Sequence, residues 1–298
     1  MEVLALFFQT PFFDSRKAVL YASRIKLPVR VVDITASHLE VVKNPRHGYG
    51  ENMNPCIDCH AHMIRTAGNL LDREGAAFVV TGEVLGQRPM SQNRRALEIV
   101  EKESGYPGLV LRPLSAKRLP PTVPETKGWV DREALKGFSG RSRKPQMALA
   151  RELGIVDYPS PAGGCLLTEK VFSTRLRDLM EAGDLSIHQI ESLKVGRHFR
   201  ISPTAKVVIG RHKKDNQAIE SLARDKDILL TTVNVPGPSA LLSGEPGPDD
   251  VETAAQITAA YSDARSGKRA EVRVKGPEGE KVIVPDLRDK SDFRHLMI

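Results

Sequence analysis

The sequence is poor in cysteine and aromatic residues, and it lacks any long apolar run. Three cysteines among 298 residues cannot all pair within one chain, which argues against a fold stapled by disulfides. An aromatic content of 5% argues against recognition that relies mainly on stacked single-stranded bases. No run of about 18 apolar residues occurs, so we expect no membrane-spanning helix. The start, MEVLALFF, has neither the basic flank nor the cleavage site of a signal peptide, so we expect a cytoplasmic protein in a reducing environment.

Basic residues are in excess. Lysine and arginine together number 44 and acidic residues number 37, which gives a net charge of +7. Such a balance favours a polyanionic partner, and nucleic acid is the first candidate. The chain is longer than one typical core allows, so we expect two domains, at residues 1–182 and 186–298.

Strand and helix patterns alternate in the first predicted domain. Apolar runs at residues 2–9 and 29–34, and a shorter one at 109–111, predict buried strands. The helical patterns between them predict βαβ units and therefore an α/β fold with a doubly wound parallel sheet. The second domain combines short strands with long helical patterns, which predicts an α+β fold.

The three cysteines form the first candidate site. Cys56 and Cys59 have the Cys-x-x-Cys spacing that lets both sulfurs bind one soft metal, and Cys165 lies on a glycine-rich loop. Three thiolates leave one position open, which suits catalysis at a [4Fe–4S] cluster that holds an exogenous sulfide. A persulfide relay by thiol exchange is a second interpretation. A zinc site completed by His60 or His62, and buried thiols without metal, are further alternatives.

A turn at a strand end supplies the second candidate site. Residues 76–80 predict a buried strand, and Thr81, Gly82 and Glu83 follow at its carboxyl end. Ligands of open α/β sheets bind at such strand ends, and Gly82 lets a nucleotide approach the backbone closely. Gln92 offers further polar groups one turn on.

These motifs resemble a known family. TGEVLGQRPMSQ at 81–92, followed by LRPL at 111–114, is similar to the adenylating domain of tRNA 4-thiouridine synthetases. Those enzymes are PP-loop ATPases, and they are related to the tRNA 2-thiouridine synthases. NPCIDC at 54–59 and the later Gly-Gly-Cys165 resemble the cysteine set of members without a rhodanese domain, in which three cysteines hold an iron–sulfur cluster. The resemblance covers roughly residues 1–180.

The resemblance implies that the first domain adenylates a tRNA uridine with ATP and Mg²⁺, after which sulfur held at the three cysteines displaces AMP. Gly82 and Gln92, with Thr81 beside them, are expected to line the adenylate. Phe8 is expected to flank it, and His60 lies where the family has a basic residue near the nucleotide. The implied partners are tRNA and a sulfur donor, either sulfide or a persulfide carrier protein. A homodimer is one option for the assembly.

One family motif is absent from the sequence. The phosphate loop Ser-Gly-Gly-x-Asp-Ser is expected before residues 2–9, a run that resembles the second strand of the PP-loop fold. We expect that translation begins upstream of Met1, so that the first βα unit is missing here. The alternative is a degenerate PP-loop scaffold that binds RNA without catalysis. A sulfur transferase for small molecules is a third interpretation, which the basic second domain disfavours.

The second domain resembles the NFACT RNA-binding domain. The matching segments are VGRHFR at 195–200, VIGRHKKDN at 208–216 and VPGPS at 235–239. Basic side chains gather around two predicted strands, and they suit contacts with the phosphates of folded RNA. The candidate RNA-binding residues are Arg197, Arg200, Arg211, Lys213 and Lys214. Together the two resemblances predict an enzyme, a tRNA sulfurtransferase with an appended RNA-binding domain.

Overall fold

The computed structural model describes residues 1–158, 164–264 and 269–298, which form two compact units. The first unit spans Met1–Thr168 and the second spans Glu169–Ile298. This boundary lies earlier in the chain than the predicted division between residues 182 and 186.

The helix that shifts the boundary is Lys170–Glu181, which packs within the second unit. Its Arg175 donates hydrogen bonds to the backbone carbonyls of Leu193 (2.9 Å) and Gly196 (3.1 Å). Its Asp178 accepts two hydrogen bonds from Arg200, at 2.9 and 2.7 Å. These partners are far away in sequence, so the local helical pattern does not reveal them.

Short strands and helices alternate in the first unit. The elements are, in chain order, β1 (Ala5–Gln9), α1 (Arg16–Arg24), β2 (Val29–Asp33), α2 (Thr35–Lys43), α3 (Cys56–Gly68), α4 (Leu71–Glu74), β3 (Val79–Val80), α5 (Arg94–Ser104), β4 (Val110–Leu111), α6 (Val123–Thr126) and α7 (Lys144–Glu152). Turns of 3-10 helix occur at Ala116–Arg118, Arg132–Ala134 and Leu166–Thr168.

The strands of the first unit pair in parallel, but not as one sheet. β1 pairs with β2 over five residues, and β3 pairs with β4 over two. In the described residues these pairs form two separate sheets, so the predicted doubly wound sheet is not what the strands form. A continuous sheet needs ladder hydrogen bonds between the pairs, and the described strands form none between β1–β2 and β3–β4.

Helices α3 and α5 pack against each other beside β4. Ile64, Val100 and Val110 are buried together at this contact. The ring of Tyr106 lies against Gly68, where an added Cβ would come within 2.2 Å of a ring carbon. Glycine at position 68 therefore lets the end of α3 approach the tyrosine that follows α5.

The second unit alternates helices with the strands of one sheet. The elements are, in chain order, α8 (Lys170–Glu181), α9 (Ile187–Ser192), β5 (Arg197–Ser202), β6 (Ala205–Ile209), α10 (Lys213–Leu222), β7 (Ile228–Thr232), β8 (Ser239–Gly244), α11 (Pro248–Ala260), β9 (Val272–Gly276) and β10 (Gly279–Ile283). A 3-10 segment, Lys290–Leu296, follows β10.

The six strands of this sheet lie in the order β10-β9-β7-β8-β6-β5, and every neighbouring pair is antiparallel. Alternate side chains point to opposite faces, so each face has its own core. Leu230 and Leu242 pack with Ile257 of α11 on one face. Leu241 packs with Ile219 of α10 on the other. The protein is thus a mixed α/β chain whose second unit is built on an antiparallel sheet.

The described helices are short compared with the thickness of a bilayer. The longest, α3 and α11, have 13 residues each, whereas a bilayer span takes about 20. No described helix is long and apolar enough to cross a membrane.

Candidate cysteine site and nucleic-acid interface

The Cys-x-x-Cys pair lies at the start of a helix. Cys56 is the first residue of α3. The Cys56 sulfur accepts a hydrogen bond from Asn54 Nδ2 at 3.2 Å. The buried Cys59 sulfur lies 3.2 Å from Nε2 of His38, which is on α2 and fully buried. The sequence does not point to His38, because it lies 21 positions before its partner.

The third cysteine is brought to the same region of the first unit. The backbone N–H of Leu166 donates to the carbonyl of Phe12 at 3.0 Å, which fixes the segment after Cys165 beside the end of β1. Asn52, in the loop before α3, donates from Nδ2 to the carbonyl of Thr168 at 2.9 Å. The three predicted cysteines therefore converge, although Cys165 is distant in sequence.

The environment of these thiols favours their protonated form. Burial raises the pKa of Cys59 above its ordinary range, and the nearby Cys165 and Cys56 raise it further. Burial also raises the pKa of Cys165 to about 11, although backbone N–H groups and the charge of Arg88 oppose the effect. Without a bound cation the two sulfurs are thiols at neutral pH, and a soft metal would displace their protons.

The spacing of the sulfurs tests which metal group they fit. Tetrahedral zinc, with Zn–S bonds of about 2.3 Å, holds its sulfur ligands roughly 4 Å apart. Among the described residues, potential ligand atoms of His47, Asp58 and Glu103 all lie within 4.8 Å of one another, whereas the three cysteine sulfurs do not. Thiolates are ligands of both zinc and iron–sulfur clusters, so the three sulfurs offer a donor set for either group.

The His47, Asp58 and Glu103 group is already bonded within the protein. His47 Nε2 lies 2.9 Å from Glu103 Oε1. The Asp58 carboxylate accepts the backbone N–H groups of Arg46 and His47, at 3.1 and 3.0 Å. These bonds tie the loop before α3 to α3 and α5.

A buried charge network lies behind the predicted ligand-binding turn. Glu83 Oε1 is 2.7 Å from His60 Nδ1, and Glu83 Oε2 accepts from Arg112 Nε at 2.9 Å. Thr81 Oγ1 donates to the same carboxylate at 3.1 Å. Burial alone would raise the pKa of Glu83, but the bonds and charges of His60 and Arg112 hold it at about 2. His60, predicted to lie near a nucleotide, is thus oriented by a permanently charged carboxylate.

The other residues predicted to bind the nucleotide are dispersed over several elements. Gly82 follows β3, and an added Cβ would meet no described atom within 4 Å. Gln92, which lies between β3 and α5 in the sequence, is buried, and its Oε1 has no hydrogen-bond partner in the described part of the chain. Phe8 is half-buried on β1, which belongs to the other strand pair. Open space at Gly82 and an orphaned amide oxygen at Gln92 are compatible with a polar ligand.

Two of the five cations predicted to bind RNA form ion pairs with carboxylates of the second unit. Arg200 forms its two hydrogen bonds with Asp178. Arg211 Nε lies 2.6 Å from Asp215 Oδ2, and its backbone N–H also donates to this oxygen. The i,i+4 spacing of Arg211 and Asp215 is a sequence signal that predicts such a pair. Arg200 and Arg211 therefore each have a carboxylate partner within the second unit.

The remaining three cations are not paired with a carboxylate in the described part of the chain. Lys213 and Lys214 open α10 and are exposed, and neither has a carboxylate partner among the described residues. Arg197 begins β5 and lies over the ring of Tyr261, with 5.0 Å between the guanidinium carbon and the ring centroid. Arg197 and the lysine pair both lie where β5 begins and β6 ends, because Arg197 is opposite Ile209 in the ladder.

Comparison with known proteins bears on this second unit. Residues 196–291 match the family described as the NFACT protein RNA binding domain. The predicted resemblance to that domain is thereby confirmed, and RNA is supported as a partner. No curated protein matches the chain.

One solved structure similar to this chain is the C-terminal part of the fibronectin/fibrinogen-binding protein from Streptococcus suis. The match has 12% identity, covers 95% of this chain and 100% of the other, and has a TM-score of 0.31.

Proposed function

We propose that this chain is an RNA-binding protein whose second unit contacts the phosphates of folded RNA. The observation that carries the proposal is the match of residues 196–291 to an RNA-binding domain. The unpaired cations Lys213 and Lys214 supply the chemistry at the start of α10. Basic side chains that contact phosphates supply most of the affinity of such interfaces.

The position of the two lysines favours an anionic partner. The amino-terminal end of a helix carries a partial positive charge, so cationic side chains in the first turn are unfavourable on their own. A phosphate bound there would be attracted by both lysines and by the positive end of the helix dipole. Such contacts recognise the charge and shape of the RNA and do not distinguish one base from another.

Replacing both lysines, in the variant Lys213→Gln/Lys214→Gln, should weaken RNA binding strongly. Each lost phosphate contact lowers the slope of log Kd against log salt by about 0.9, so the slope should fall by about 1.8. Near 0.15 M salt this corresponds to a rise in Kd of roughly 20- to 30-fold. Fluorescence anisotropy of a labelled RNA hairpin, measured at several KCl concentrations, gives both quantities.

A matched variant controls for the loss of net charge. Lys226 precedes β7, at the end of that strand that is far from Ser239, where β8 begins. Lys281 is exposed on β10. Lys226→Gln/Lys281→Gln should keep the wild-type slope. Equal slopes for the two double variants would refute the assignment of Lys213 and Lys214.

A second candidate function is thiolation of tRNA by the first unit, which the convergence of Cys56, Cys59 and Cys165 supports. In this proposal the cysteines hold an iron–sulfur cluster that supplies sulfur, and ATP with Mg²⁺ activates the uridine oxygen. The open space at Gly82 and the orphaned Oε1 of Gln92 would receive the nucleotide. The second unit would hold the tRNA.

Anaerobic purification followed by iron and sulfide analysis tests the cysteine proposal. A [4Fe–4S] cluster predicts about four irons per chain and a broad visible absorption that oxygen bleaches. Cys165→Ala, which leaves no donor atom at this position, should lose this iron if the cysteine is a ligand. Bound iron that survives Cys165→Ala would exclude the three-cysteine site, and stoichiometric zinc in its place would exclude the cluster.

A further inference from the structure

Tyr261 has two basic side chains beside its ring. It directly follows α11, and its ring meets the edge of the buried Phe199 ring, with the centroids 5.8 Å apart. The Arg197 guanidinium carbon lies 5.0 Å from the Tyr261 ring centroid, and Lys290 Nζ lies 5.2 Å from it. Two cations from distant parts of the second unit thus share one ring that the core holds in place.

Both side chains remain able to donate hydrogen bonds. Neither forms an ion pair with a carboxylate in the described residues. Asp289, the neighbour of Lys290, instead accepts from the backbone N–H and the hydroxyl of Ser291, at 2.8 and 2.6 Å. A cation–π contact restrains a side chain without neutralising it, so Arg197 and Lys290 keep N–H donors for another partner. Their restraint also lowers the entropy lost when that partner binds.

The Tyr261 ring lies at the end of the sheet where the lysine pair is found. Arg197 faces Ile209, the last residue of β6. Lys213 and Lys214 open α10, only a few residues after Ile209.

The turn between β7 and β8 also connects the two sets of cations. Asn216 of α10 donates from Nδ2 to the carbonyl of Gly237 at 3.5 Å. The backbone N–H of Asp263, two residues after Tyr261, donates to the carbonyl of Pro236 at 2.8 Å. The start of α10 and the end of α11 therefore border the same turn.

We propose that Arg197 and Lys290, restrained by Tyr261, form a second phosphate-binding site on the RNA surface that begins at Lys213 and Lys214. This inference rests on the proposed RNA-binding function and extends its surface. Phosphate oxygens accept hydrogen bonds from both the guanidinium and the ammonium. Because both cations lie over the ring, the tyrosine restrains them and is not a platform for a stacked base.

The test measures binding of the full chain to a fluorescein-labelled RNA hairpin with a duplex stem, at several KCl concentrations. Arg197→Gln and Lys290→Gln should each lower the salt slope by about 0.9 and raise Kd roughly fivefold near 0.15 M salt. Lys281→Gln is the matched control, since it removes the same charge from β10, at the opposite edge of the sheet from β5. Arg197→Lys keeps the charge and should keep the slope.

Removing the ring separates restraint from charge. Tyr261→Leu should raise Kd and leave the slope near that of the wild type, because both cations remain. Circular dichroism establishes that each variant is folded.

The outcomes separate this site from the proposed function. Wild-type slopes for both Arg197→Gln and Lys290→Gln, with a lowered slope for Lys213→Gln/Lys214→Gln, would overturn the Tyr261 site alone. A wild-type protein that fails to bind the hairpin would overturn the RNA-binding function and the site together.

Discussion

Asp178→Asn is expected to destabilise the second unit by about 2–4 kcal/mol, less than the loss of one partner from a fully buried ion pair, because Asp178 and Arg200 are partly exposed. Asp178 accepts two hydrogen bonds from Arg200, and its Oδ2 lies 3.3 Å from Nζ of Lys206, whose side chain is only 3% exposed. Burial opposes ionisation of Asp178, yet Arg200 and Lys206 hold its pKa below the ordinary value. An amide at position 178 would leave a buried ammonium without a counterion.

Urea unfolding followed by far-UV circular dichroism measures this loss. Tryptophan fluorescence gives a separate record of the first unit, since the one tryptophan is Trp129. Glu181→Gln, an exposed carboxyl-to-amide change on the same helix, should shift the unfolding free energy by less than about 0.5 kcal/mol. Lys206→Met should cost less than Asp178→Asn, because a buried apolar side chain needs no counterion and Asp178 keeps Arg200. Equal stabilities for Asp178→Asn and Glu181→Gln would contradict this account of α8.

Glu83→Gln is expected to destabilise the first unit by about 2–4 kcal/mol, somewhat less than a full buried pair because Arg112 keeps its contact with Glu101 at 2.8 Å. Glutamine has one acceptor oxygen where the carboxylate has two, so His60 or Arg112 would lose its partner. The unfolding transition of Trp129 fluorescence in urea reports the change. Glu98→Gln, on the exposed side of α5, is the control and should leave the unfolding free energy of the first unit unchanged.

The ionised Glu83 carboxylate predicts that the stability of the first unit falls at low pH. The pKa of Glu83 is about 2 in the folded protein and 4.5 ordinarily, so the folded state binds fewer protons in this range. The stability that Glu83 contributes is therefore present above about pH 4.5 and is lost as the pH falls toward 2. The difference in unfolding free energy between wild type and Glu83→Gln should shrink over that interval. A difference that stays constant would show that the charge of Glu83 is not what stabilises the network.

Local patterns predict some elements of this chain well. The apolar runs at residues 2–9 and 29–34 contain β1 and β2, which pair in parallel. Their arrangement with β3 and β4 depends on ladder contacts between distant segments, which no local pattern encodes. β8 is hidden in the sequence because the Pro-Gly-Pro stretch at 236–238 suggests a loop around its start.

Charge patterns select candidate RNA-binding residues, but they do not reveal which of these side chains are paired within the protein. All five selected cations lie in the second unit, but Arg200 faces Asp178, a partner 22 positions earlier that only the packing of α8 reveals. Lys290 lies far along the chain from the basic cluster, and it reaches the Tyr261 ring through the fold alone. The convergence of Cys165 on Cys56 and Cys59 is likewise a tertiary contact, which the spacing of these residues in the sequence does not reveal.

The most direct test of the central claim compares the wild-type chain on two hairpins of the same sequence, one RNA and one DNA, across a range of KCl concentrations. The account predicts an affinity that falls steeply and linearly on logarithmic axes with salt, and tighter binding to the A-form RNA stem than to the DNA stem. An affinity that does not depend on salt, or one that is equal for the two hairpins, would contradict an RNA-binding role for the second unit.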